Sequence, residues 1–149
     1  VDPDYSKVPE MSAALVVDYV IEQINQKNFD IYILNFANAD MLGHTGKFEA
    51  TVEAIEAIDE QIGRLWQVLQ TADPKSVLCI TADHGNAEEM INLQTKELDT
   101  EHSTNPVPLI ITKPNLPLRN AGGLSNVAPT LLKVLGLKQP KQMTAQSLC

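Results

Sequence analysis

The chain has 149 residues, 44% of them apolar and 20% charged, with a formal net charge of −8. That length buries a substantial core, roughly 68–70% of the unfolded surface, and the composition excludes disordered and fibrous classes. The negative balance argues against nucleic acid or an anionic membrane as partner and is compatible with bound cations.

The opening "VDPDYSKVPEMSA" carries Pro3 and Pro9 and reads as an extended lead-in, with neither the basic start nor the apolar stretch of a secretion signal. From Ser12, a candidate N-cap, Leu15, Val16, Tyr19, Val20 and Ile24 recur at helical spacing and predict a helix over 12–27. The run "FDIYILNFA" (29–37) has the length and β-branched content of a strand covered on both faces. "NADMLGHTGKF" follows as a loop. Val52, Ile55, Ile58, Ile62, Leu65, Trp66 and Leu69 mark an amphipathic helix over 47–72, ended by Asp73-Pro74, with Glu49, Glu53, Glu56, Asp59 and Glu60 on its solvated face.

"SVLCITA" (76–82) reads as a second buried strand. Its Cys79 is an inert thiol, and with Cys149 it makes a poor disulfide framework; a reduced, cytoplasmic setting fits better. The stretch 91–106 is polar and irregular with room for a short hairpin, and "VPLIIT" (107–112) is a third strand. "SNVAPTLLKVLG" is a helix capped by Ser125 and closed by Gly136, and the tail 137–149 reads as polar and loose. No run approaches the ~20 apolar residues of a membrane span. Alternating helices and strands predict a single α/β domain over 1–149, with helices on both faces of its sheet. In such folds function gathers in loops beyond the carboxyl ends of strands.

The three histidines fall in strand-flanking loops. His44 lies four residues beyond Asp40, His84 sits beside Asp83, and His102 enters the third strand. Imidazole nitrogen and carboxylate oxygen suit Zn, Mn, Fe or Mg, and no thiol competes nearby. Gly43, Gly46 and Gly85 would let backbone approach a metal or phosphate closely. Taken singly, each pair reads more simply as a solvated loop pair; their convergence at one sheet edge favours metal binding.

Together "NFANADMLGHTG", "TADHGNAEEM" and "EHSTNPVPLI" closely resemble cofactor-independent (2,3-bisphosphoglycerate-independent) phosphoglycerate mutase, of the alkaline phosphatase superfamily. "PEMSA" and "GGLSNVAPTLLKVLGL" are also similar to that family, so the resemblance runs over about 5–137. It implies an alkaline-phosphatase-like, mostly parallel sheet and two divalent ions, typically manganese, with Mg²⁺, Co²⁺ or Zn²⁺ as alternatives. Asp40, His44 and His102 would hold one ion; Asp83 and His84 would hold the other with an aspartate and a serine found early in the full-length enzyme. That serine would carry the phosphoryl group between 3-phosphoglycerate and 2-phosphoglycerate, in glycolysis and gluconeogenesis.

No nucleophilic serine motif precedes "PEMSA", and the family's inserted substrate domain is not recognisable, with Arg64 and Arg119 as the only arginines. The resemblance therefore implies the C-terminal part of the phosphatase domain, inactive alone and completed by the missing N-terminal part. Phosphopentomutase and a non-catalytic metal-binding domain are the alternatives.

Overall fold

The computed structural model describes residues 4–149, so Pro3 of the lead-in lies outside the described residues. Two compact units divide the chain, the first ending at Ile111 and the second spanning Thr112–Cys149. The α/β class stands: helices dominate, accompanied by a small sheet.

The first unit is built on two helices, α1 (Ala13–Gln26) and α3 (Phe48–Ala72). Both begin and end within a residue of the expected bounds, but α1 is turned from the expected face. Ala13, Val17, Val20 and Ile24 point inward, whereas Leu15 and Tyr19 stay exposed. The inward set recurs at spacings of four, three and four, which keeps one stripe against α3, where Leu65 completes the cluster. Along α3 the small residues Ala50 and Ala54 are buried, while Val52 and Ile55 are largely exposed, another departure from the expected core. Ser12 precedes α1 without making a side-chain cap.

Residues 38–43, expected as loop, form a short helix, α2 (Asn38–Gly43). Two anchors make it. Asn38 is buried and its Nδ2 donates to the carbonyls of Pro9 and Glu10, both at 2.9 Å, tying "NAD" to "PEMSA". Leu42, fully buried, plugs into Ala50 and Ala54 of α3.

The apolar run 29–37 is extended but joins no sheet among the described residues. Its side chains alternate as a strand's do: Tyr32, Leu34 and Phe36 pack on the α1–α3 core, and Ile31 and Ile33 face outward. One face is covered, where two were expected. The sheet is the pair β1 (Cys79–Thr81) and β2 (Leu109–Ile111), antiparallel, with Ile80 opposite Ile110. A mostly parallel sheet was expected. A parallel return needs a crossover, usually a helix, and the connection between these strands holds none. That connection contains the anticipated hairpin, bridged at Ile91–Leu98, and a second bridge at Gly85–Ser103.

In the second unit a 3-10 turn leads into α4 (Val127–Val134). Asn126, not Ser125, serves the start: its Oδ1 accepts the Gly123 N–H at 2.8 Å. Past the helix, Gly136 takes a φ of 71°, and the N–H groups of Gly136 and Leu137 donate to the carbonyls of Lys133 and Leu132. That is the Schellman closure glycine favours. The tail is held, not loose. Leu148 is buried, its N–H donates to Thr130 Oγ1 at 2.8 Å, and its carbonyl accepts the Arg119 N–H at 2.8 Å.

Candidate metal centre

With Leu42 turned inward, Asp40 and His44 share another side of α2, four residues apart. His102 reaches the same place from the strand segment whose Ser103 N–H donates to the Gly85 carbonyl at 2.8 Å. His44 Nε2 lies 3.0 Å from His102 Nε2, and Asp40 Oδ1 lies 3.4 Å from the former and 3.2 Å from the latter. One atom from each residue thus falls within a 4.8 Å triangle.

Two imidazole lone pairs and a carboxylate oxygen at these separations repel one another unless something positive lies among them. A proton or a metal ion meets that need. The neighbouring bonds favour a ligand role for His44. Its Nδ1 lies 2.6 Å from the Thr100 carbonyl, which only a protonated nitrogen can satisfy, so in the neutral ring Nε2 carries the free pair. The Asp40, His44 and His102 side chains remain a third to a half exposed, so the cluster is open on one side to water or substrate.

His84 joins by stacking. Its ring lies 3.7 Å from that of His102, tilted by 20°. Its Nδ1 is buried without a hydrogen-bond partner, 3.9 Å from Asp40 Oδ1. An orphaned buried nitrogen beside a carboxylate suits a cation ligand. Asp83 stands apart: 78% of its side chain is exposed and its nearest approach is 3.7 Å to His84 Nε2. The structure therefore gathers Asp40, His44 and His102, lays His84 against them, and leaves Asp83 at the rim.

The glycines serve neighbouring side chains. A Cβ at Gly43 would strike the Asn86 amide, one at Gly85 would strike Glu88 and Ser103, and Gly46 takes a φ of 68° against Leu98. Asn86 and Glu88 were not legible as site residues, although both lie in "DHGNAEEM". Asn86 Nδ2 donates to Asp40 Oδ1 at 3.0 Å. For Glu88, burial pushes the carboxyl pKa up, but hydrogen bonds from Ser103, the backbone and Asn105 outweigh it and hold the value below the usual carboxylate range.

Carboxylate and imidazole donors grouped on an α/β frame are the make-up of a metal-binding protein. The chain belongs to the Metalloenzyme superfamily, whose model matches residues 4–139. It is 50% identical over 144 residues to the 2,3-bisphosphoglycerate-independent phosphoglycerate mutase of Acetivibrio thermocellus, covering 97% of this chain and 28% of that protein. It is 51% identical over 146 residues to the phosphoglycerate mutase 2 of the same type from Methanosarcina barkeri, covering 97% and 27%. A crystal structure of Leishmania mexicana phosphoglycerate mutase at low cobalt concentration superposes with a TM-score of 0.87 at 29% identity, covering 99% of this chain and 30% of that one. The chain spans little more than a quarter of the length of these relatives.

Proposed function

We propose that residues 1–149 form the C-terminal, metal-binding part of the phosphatase domain of a cofactor-independent phosphoglycerate mutase. The parent interconverts 3-phosphoglycerate and 2-phosphoglycerate in glycolysis and gluconeogenesis, through a phosphoserine on another segment. The observation that carries this reading is the convergence of Asp40 Oδ1, His44 Nε2 and His102 Nε2, with His44 oriented by Thr100.

In this reading Asp40, His44 and His102 hold one divalent ion. Asp83 and His84 hold a second, together with ligands from the rest of the parent. Manganese is favoured, with Mg²⁺, Co²⁺ or Zn²⁺ able to occupy the same donor set; the cobalt named for the Leishmania mexicana enzyme supports a divalent ion. When bound, such ions lower the serine's pKa and neutralise charge on the phosphoryl oxygens. The chain's own residues prepare the place. Thr100 holds the His44 ring so that Nε2 faces the centre, His84 fixes the His102 ring by stacking, and Asn86 restrains the Asp40 carboxylate. Both cysteines are free, and burial pushes the Cys79 thiol pKa up, which suits an unreactive thiol in the cytoplasm.

The test is a coupled assay of the full-length parent with Mn²⁺, as wild type and as His44→Ala. Conversion of 3-phosphoglycerate at roughly 1–10³ s⁻¹, lost in the variant, is the expected result. Turnover of ribose 1-phosphate instead would make the parent a phosphopentomutase. Activity on neither substrate would leave a non-catalytic metal-binding domain.

A further inference from the structure

We propose that Glu88 and Asn86 are positioning residues that set the spacing of the metal-binding segments, touching no ion themselves; the inference rests on the metal-binding reading above. Three separate stretches must meet for the centre to exist: the end of α2 with Asp40 and His44, the turn with Asp83 and His84, and the segment with His102. One chain of hydrogen bonds links all three.

Glu88 forms the first link. Its Oε2 accepts the Asn86 N–H at 2.7 Å, within the turn that carries His84. Its Oε1 accepts from Ser103 Oγ, the residue next to His102, and from Asn105 Nδ2 at 3.1 Å. A carboxylate engaged by these donors has little left to offer a cation, so its part is to hold the His102 segment to the His84 turn. Asn86 forms the second link. It is 4% exposed, and its Nδ2 donates to Asp40 Oδ1, the oxygen that faces all three histidines. An amide suits that place because it restrains the carboxylate without adding a charge that would compete for the ion.

Two glycines leave room for this chain. A side chain at Gly85 would fill the point where Glu88 and Ser103 meet, and one at Gly43 would displace the Asn86 amide. Bonds that merely stiffened a local turn would stay within the turn. Those of Glu88 cross 15 and 17 residues, and that of Asn86 crosses 46.

Calorimetric titration of the 149-residue chain with Mn²⁺ tests the inference, with the metal-free melting temperature recorded beside it. Glu88→Ala is expected to weaken binding about tenfold to a hundredfold, the usual loss for a group that orients ligands. Ser103→Ala is expected to cost about tenfold, and the double variant no more than Glu88→Ala alone, because both act through one contact. Glu101→Ala removes the acidic side chain next in sequence to His102, which takes no part in these bonds, and is expected to leave affinity unchanged. If His44→Ala leaves Mn²⁺ binding intact, the metal reading itself fails and this inference with it. If His44→Ala abolishes binding while Glu88→Ala and Ser103→Ala stay within about twofold of wild type, the positioning role alone is overturned. Additive losses in the double variant, or a comparable loss in Glu101→Ala, overturn it as well. Should Glu88→Ala show no folded baseline, Ser103→Ala decides by the same twofold criterion.

Discussion

The two groups of candidate ligands are built differently. Asp40 and His44 ride on a helix pinned by a buried Asn38 and a buried Leu42, and His102 meets them from a segment bridged at Ser103 to Gly85, beside the second group. Asp83 and His84 sit on a turn just past a three-residue strand, with Asp83 turned to solvent. The first group brings three donor atoms together, and the second has two donors, one of them turned to solvent. Metal affinity follows ligand number and prior order, so the proposed reading expects tighter binding at the first group than at the second.

The largest expected effect separates the two groups directly. His44→Ala is expected to abolish the tighter Mn²⁺ binding, a loss of at least about a hundredfold, whereas His84→Ala costs less than about tenfold. Calorimetry on both variants decides it; equal losses would mean the groups are not divided as described.

Gly43→Ala attacks the prior order without touching a ligand. Its methyl would press on the Asn86 amide in a buried place, and overpacking of this kind costs about 1–3 kcal/mol. Thermal unfolding of the metal-free chain measures it, and an unchanged melting temperature would show that the site has slack.

Glu88→Gln probes the same order through pH. The folded pKa of Glu88 lies below its ordinary 4.5. Its carboxylate therefore adds stability that is fully present above 4.5 and lost as pH falls through the lower folded value. The variant is expected to be less stable at neutral pH, by less than about 1 kcal/mol because the group is exposed, and to converge with wild type on acidification. A gap that widened in acid would contradict the sign.

Asp83→Asn is expected to do least. With 78% of its side chain exposed, its loss changes Mn²⁺ affinity of this chain by less than about twofold. A large loss would bring Asp83 into the first group and erase the contrast.

Long periodic segments were legible in the sequence because period and length together specify a helix: α1 and α3 fall where 12–27 and 47–72 predicted them. Which stripe of α1 turned inward was less legible, since Leu15 and Tyr19 also lie at helical spacing with Val20 and Ile24 and yet stay exposed. An apolar run marks an extended segment but cannot name its neighbours, so 29–37 took the alternation of a strand without the pairing. α2 was not legible because Gly43 breaks a short segment whose stability comes from contacts outside it, of Asn38 with Pro9 and Glu10 and of Leu42 with Ala50 and Ala54. The tail was not legible because its order rests on the burial of Leu148 and on its hydrogen bonds with distant Thr130 and Arg119. Asp40, His44 and His102 stood out as candidate ligands by residue type, loop position and family resemblance, and the structure brings their donor atoms together. Asn86 and Glu88 did not stand out, since their importance lies in bonds that span the chain and leave no periodic trace.

The alternating segment 29–37 has a consequence for amide exchange. Tyr32, Leu34 and Phe36 are held by the core through their side chains, yet the backbone of this stretch belongs to no ladder among the described residues. Side-chain burial and amide protection should therefore part company here. Deuterium is expected to enter residues 30–36 almost as fast as it enters a loop, while the amides of α1 beneath them resist until the helix itself opens. Exchange in this protein would then follow hydrogen bonding, with packing a poor guide to it.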